Sequence, residues 1–114
     1  MNKSKKKGKK FESEIALIIN SYFPEAKSRR SAFSGGFWEL GDIHYDDVYP
    51  INLFNFEIKK RKRIPCLIKK AMEQSQRDAQ ESVPSKIPLV IIGEDYGEPL
   101  VILDFKKFLK LLNK

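Results

Sequence analysis

An α/β domain, a mixed β-sheet flanked by helices, is the fold class that this chain of 114 residues predicts. Three observations carry that expectation. Phe11, Ile15, Ile18 and Tyr22 recur at helical spacing. In residues 53–59, Phe54, Phe56 and Ile58 alternate with Asn55, Glu57 and Lys59, as in a half-buried strand. Two short apolar runs, 89–92 and 100–103, flank a turn-rich stretch and read as a hairpin. The expected order is α-β-β-α-β-β-α, and a central mixed sheet with helices on its faces is the economical way to bury those stripes.

The first helix is expected from near Gly8 to about Tyr22, with Pro24 ending it. Residues 27–40 read as a loop, with Ser31, Ser34, Gly35 and Gly36 as turn formers. A strand follows from Asp42 to about Tyr45, then a turn over 46–50 and the strongest strand, 53–59. Pro65 opens a helix expected over 67–80, with Ile68, Ala71, Met72, Ser75 and Ala79 on one face. After the hairpin, Asp104 is positioned to N-cap a last helix carrying Phe105, Phe108, Leu109 and Leu112.

Apolar residues make up 41% and charged residues 32%, which suits one modest core and excludes a disordered chain. The net charge of +7 points to a polyanionic partner. Half of the 22 basic residues sit in two clusters, Lys3, Lys5, Lys6, Lys7, Lys9 and Lys10, and then Lys59, Lys60, Arg61, Lys62 and Arg63. Like charges at that density repel, so residues 1–10 read as a flexible basic arm and 11–114 as a single domain. Both clusters are suited to holding a phosphate backbone without reading bases. Cys66 is the one cysteine, which excludes a disulfide framework and a Cys-rich zinc site. His44 is the one histidine, which argues against a catalytic triad. No apolar run spans a membrane or follows the basic N-terminus as in a signal peptide, so the expectation is a cytoplasmic protein with no membrane partner.

Chemistry is suggested by Glu57-Ile58-Lys59. On a strand Glu57 and Lys59 share a face, their Cα atoms about 7 Å apart. A carboxylate suits a hard cation such as Mg²⁺, the Ile58 carbonyl offers a further oxygen, and an ammonium suits a phosphate or a water. An ordinary strand with a solvated ion pair carries the same pattern. Gly41-Asp42-Ile43 adds a second acid fifteen residues earlier, enough for a strand, a turn and a return strand. Two converging carboxylates beside a lysine form a site for phosphodiester hydrolysis. Glu12 lies one position off the Phe11/Ile15 stripe, where it can reach the same site. Gln74, in the following helix, is a candidate phosphate donor. Each of these also fits a plain surface role.

The chain resembles the PD-(D/E)XK nuclease superfamily, with its restriction-endonuclease-like core, and within it the small Holliday-junction resolvases and their phage-encoded relatives. The matching pieces are Lys7-Gly8-Lys9-Lys10-Phe11-Glu12-Ser13-Glu14, in which the spacing favours Glu12 over Glu14 as the site acid, Arg29-Arg30 with Ser34-Gly35-Gly36, Gly41-Asp42-Ile43 for the "PD" motif, Phe56-Glu57-Ile58-Lys59 for "(D/E)XK", Glu73-Gln74, and Pro88-Leu89-Val90-Ile91. Gly41 stands where the name-giving proline would be. The resemblance implies that Asp42, Glu57, the Ile58 carbonyl and Glu12 hold Mg²⁺ or Mn²⁺. Lys59 would orient the attacking water or neutralise developing phosphorane charge. It also implies DNA contacts from Lys9, Lys10, Arg29, Arg30, Ser34, Lys60, Arg61, Lys62, Arg63 and Gln74. Finally, it implies a homodimer acting on four-way junctions. Phe33, Phe37 and Trp38 form an aromatic cluster suited to an interface, a core or a lid.

The leading expectation is therefore a metal-dependent, structure-selective DNA endonuclease that resolves Holliday junctions. A nicking, restriction or repair nuclease of the same superfamily shares the chemistry and differs only in DNA shape. A non-catalytic basic DNA-binding protein would explain the charge clusters but not the placement of Glu57, Lys59 and Asp42.

Overall fold

The computed structural model describes residues 3–31 and 41–114. They form three helices and two small antiparallel sheets, an α/β fold consistent with a PD-(D/E)XK-like arrangement. The chain divides into two compact units, one reaching to Arg61 and including Leu112–Lys114, the other spanning Lys62–Leu111.

In the first unit, helix α1 covers Lys3–Tyr22. It begins earlier than the expected Gly8, so its first turns take in lysines assigned to the arm. Its end is as expected: Pro24 starts a short 3-10 turn, Pro24–Ala26, because proline lacks the N–H that the helix would need there. The buried stripe differs in phase from the expected one. Ala16, Ile19 and Phe23 are buried, whereas Phe11, Ile15, Ile18 and Tyr22 are half-buried. Glu12, Ala16, Ile19 and Phe23 are spaced i, i+4, i+7, i+11, so Glu12 heads the buried stripe rather than edging it.

α1 packs on strand β1 (Arg29–Arg30), which pairs antiparallel with β2 (Ile43–His44), Arg29 opposite His44 and Arg30 opposite Ile43. The expected loop over 27–40 thus contains a strand. Arg29-Arg30 has no apolar alternation to announce it; tertiary contact makes it a strand. The Asn20 side chain fixes its entry by accepting from Ser28 N–H at 2.6 Å and donating to Ser28 C=O at 2.9 Å. Asn20→Ala would leave both backbone groups unpaired beside a buried serine. It is expected to lower stability by about 1–3 kcal/mol, read as a lower urea midpoint at constant slope.

The strand expected over 53–59 is not formed as such. Residues Ile51–Leu53 wind into a 3-10 turn, and the chain then runs extended from Phe54 without a continuous ladder. The expected alternation survives: Phe54, Phe56 and Ile58 are half-buried, while Asn55, Glu57 and Lys59 are exposed. A main-chain bond joins this segment to the β2 side, from Asp42 N–H to Phe56 C=O at 2.8 Å. The next amide, Ile58 N–H, donates to the Asp42 carboxylate at 2.6 Å. A side chain has taken the place of the carbonyl that a ladder needs, and the strand is interrupted there.

In the second unit, helix α2 (Cys66–Glu81) packs on β3 (Val90–Ile92), which pairs antiparallel with β4 (Leu100–Ile102). This is the expected helix and hairpin. Ser75 Oγ accepts from Leu89 N–H at 3.2 Å and ties the helix to the entry of the hairpin. Helix α3 (Phe105–Leu112) follows, and Asp104 caps it by accepting from Lys107 N–H at 3.0 Å. The described residues form two separate two-stranded sheets and no single central mixed sheet.

Candidate active site

The candidate residues of the first unit meet where three backbone segments run side by side. Ser31 N–H donates to Asp42 C=O at 2.9 Å, and Asp42 N–H donates to Phe56 C=O. Asp42 lies on the middle segment and is only 6% exposed. Its carboxylate accepts the Ile58 amide, which places the Gly41-Asp42 and Glu57-Ile58-Lys59 motifs against each other. Gly41 enables the approach. Its φ is +83°, and a Cβ there would collide with the Asn55 amide oxygen and lie 3.1 Å from the Phe56 carbonyl oxygen. Proline, held near φ −65°, cannot take this conformation, which explains the glycine at that place.

Glu57 and Lys59 share the exposed face, as alternation requires, and pair at 3.3 Å. An ion pair this exposed adds little stability. It does keep a carboxylate and an ammonium together beside Asp42.

Glu12 arrives from α1. Its carboxyl is held above its usual value of 4.5, first by burial and then by the Asp42 charge. Arg30 and Lys59 pull it down, and Glu57 pushes it up. Five expected site residues, Glu12, Arg30, Asp42, Glu57 and Lys59, therefore share one electrostatic neighbourhood. Glu14 is exposed, whereas Glu12 is half-buried.

The raised value has a testable sign. Between 4.5 and the folded-state value, the folded protein binds more protons than the unfolded chain, so stability falls as pH rises through that window. The penalty is fully present above the folded value and absent below 4.5. Glu12→Gln is expected to stabilise the protein at neutral pH, with the gain fading in acid, read from urea midpoints across pH. A constant gain at every pH would contradict the charge origin.

The donor set fits a hard divalent cation in its chemistry. Asp42, Glu57, Glu12 and the Ile58 carbonyl are all oxygen donors, and the mutual repulsion at Glu12 is what a cation would relieve. Among the described residues, no three His, Cys, Asp or Glu side chains converge as a ready-made metal cage. Glu57 is instead engaged by Lys59.

Other candidates stand differently. Arg29 pairs with Asp46 at 3.4 Å and donates to Lys27 C=O at 2.8 Å. Arg30 donates to Ser31 C=O at 3.3 Å. Lys9, Lys10, Arg61, Lys62 and Arg63 are exposed. Lys60 is exposed, and its ammonium sits over the Phe11 ring. Gln74 belongs to the second unit, where it donates to Asp78 and accepts from Arg77 on its own helix. Ser34, with Gly35, Gly36 and the Phe33, Phe37 and Trp38 cluster, lies outside the described residues.

Sequence reasoning passes over Ser31 as a turn former. Its side chain is fully buried one hydrogen bond from Asp42, and its hydroxyl has no partner among the described residues. Only its adjacency to Arg30 could have marked it.

A family model described as "Phage putative PDDEXK endonuclease" matches residues 3–114, and the chain belongs to that family. This makes it a member of the PD-(D/E)XK superfamily, in a family described as endonucleases; the description does not name junction resolution. No curated protein and no solved structure matches the chain. No helix among the described residues is long and apolar enough to cross a membrane.

Proposed function

We propose that this protein is a divalent-metal-dependent DNA endonuclease whose centre is Glu12, Asp42, Glu57 and Lys59. The observation that carries the reading is the 2.6 Å bond from Ile58 N–H to the Asp42 carboxylate, which brings the two motifs to one place. Asp42, Glu57, Glu12 and the Ile58 carbonyl would hold Mg²⁺ or Mn²⁺. When bound, that ion supplies Lewis-acid stabilisation of charge on the phosphodiester. Lys59 orients the attacking water or offsets charge developing on the phosphate oxygens. Arg30, also in the field of Glu12, serves the phosphate backbone beside the scissile bond. Lys9, Lys10, Arg61, Lys62 and Arg63 add non-specific backbone attraction.

For the substrate we favour a four-way junction cut by a homodimer. The basic clusters, with Lys9 and Lys10 on one and Arg61, Lys62 and Arg63 on the other, suit a phosphate backbone rather than base edges, which favours recognition of DNA shape. Paired cuts on opposed strands need two copies of the site, arranged by an isologous two-fold interface. A nicking, restriction or repair nuclease would use the same centre on linear or flapped DNA. The test offers a synthetic four-way junction and a linear duplex of the same sequence, each with Mg²⁺ or EDTA. Preferred, paired, metal-dependent cuts near the branch are expected, with light scattering giving about 27 kDa, twice the 13.3 kDa chain. A monomer that cuts linear duplex equally well would move the substrate to the second reading.

A further inference from the structure

The Lys60 ammonium lies 4.6 Å from the centre of the Phe11 ring, within the range of a cation–π contact. The two residues sit next to site residues on both elements: Phe11 precedes Glu12 on α1, and Lys60 follows Lys59 on the extended segment. Strand alternation puts Lys60 on the same side as Phe56 and Ile58, opposite Glu57 and Lys59. Lys60 therefore turns toward the helix while Lys59 turns toward the acids.

We propose that Lys60 is a positioning residue: its contact with Phe11 clamps the Glu57–Lys59 segment onto α1 and so sets Glu12 against Asp42 and Glu57. This rests on the nuclease reading above and deepens it. Among the described residues, no main-chain ladder holds the segment beyond Phe56, because the Asp42 carboxylate has taken the Ile58 amide. The clamp supplies the restraint that the interrupted strand lacks. It also removes Lys60 from the set of lysines expected to serve only the DNA backbone.

The test uses the full chain as wild type, Lys60→Gln, Phe11→Leu, the double variant, and the conservative pair Lys60→Arg and Phe11→Tyr. Each is assayed for single-turnover cleavage at saturating DNA with Mn²⁺, and for DNA affinity across salt in EDTA. Each single loss is expected to slow cleavage about three- to fivefold, with the double no slower than either. Lys60→Arg keeps the cation and Phe11→Tyr keeps the ring, so both should cleave at the wild-type rate. Phe11→Leu should leave the salt dependence of binding unchanged. A readout independent of activity is the NMR shift of the Lys60 ε-methylene protons, upfield in wild type and normal in Phe11→Leu. Multiplying rate losses, or a flatter salt slope with an unchanged saturating rate in Lys60→Gln, would overturn the clamp. An absent upfield shift in wild type would do the same. A wild type that shows the shift but cleaves no DNA would overturn the nuclease reading and the positioning role with it, leaving the contact itself in place.

Discussion

Replacing Asp42 with asparagine, or Glu57 with glutamine, is expected to abolish DNA cleavage while leaving DNA binding intact or tighter. The asparagine of Asp42→Asn keeps an oxygen that can accept the Ile58 amide, now bonded at 2.6 Å, so the segment stays in place. What disappears is a negative charge at a buried position that otherwise repels phosphate and attracts a cation. Glu57 is exposed, so its replacement by the amide should cost little stability. Losing several kcal/mol of transition-state stabilisation corresponds to a rate drop on the order of a thousandfold or more. Lys59→Ala should fall in the same range, whereas Lys60→Gln should lose only severalfold. Equal losses at Lys59 and Lys60 would mean that the phase of the extended segment is wrong. Cleavage rates and DNA affinity, measured on the same preparations, separate lost chemistry from lost binding.

Introducing the proline that names the superfamily should damage this protein. Gly41 sits at φ +83°, on the opposite side of zero from the angle that proline imposes. Gly41→Pro is expected to cost about 3 kcal/mol or more and to displace Asp42 from its bond with Ile58. Gly41→Ala should cost about 1–2 kcal/mol from the backbone angle alone. The exposed Asn55 side chain can turn away from the new Cβ, so the close Phe56 carbonyl oxygen, 3.1 Å from it, is the contact that adds to that. Urea unfolding measures both. A Gly41→Pro variant with the wild-type midpoint and full cleavage would show that this position adopts an ordinary negative φ.

The helices, the hairpin and the Asp104 cap are legible in the sequence because each rests on a local rule of spacing or capping. Arg29–Arg30 is not, since two charged residues become a strand only through the partners that Ile43 and His44 provide. The run over 53–59 shows its true alternation, yet the ladder fails there for a reason alternation cannot show: an acid sixteen positions away bonds its amide. Apolar spacing sets the α1 stripe one residue out of phase, because Phe11, Ile15 and Ile18 are apolar without being deepest. That slip matters for the site. It puts Glu12 at the edge of the buried face, whereas Glu12 heads that face and shares its field with Asp42, Arg30, Lys59 and Glu57. The residue types and their order can be read from sequence. That Lys60 meets Phe11, and that Ser31 is buried beside Asp42, cannot, because both depend on how distant segments pack.

The most direct test of the central claim incubates labelled four-way junction and linear duplex with the full chain, with Mg²⁺, with Mn²⁺ and with EDTA. Asp42→Asn and Glu57→Gln are run alongside. Wild type is expected to cut DNA in the presence of a divalent cation, EDTA to stop it, and neither variant to cut under any condition. Cleavage that persists in EDTA, or in either purified variant, would contradict the claim.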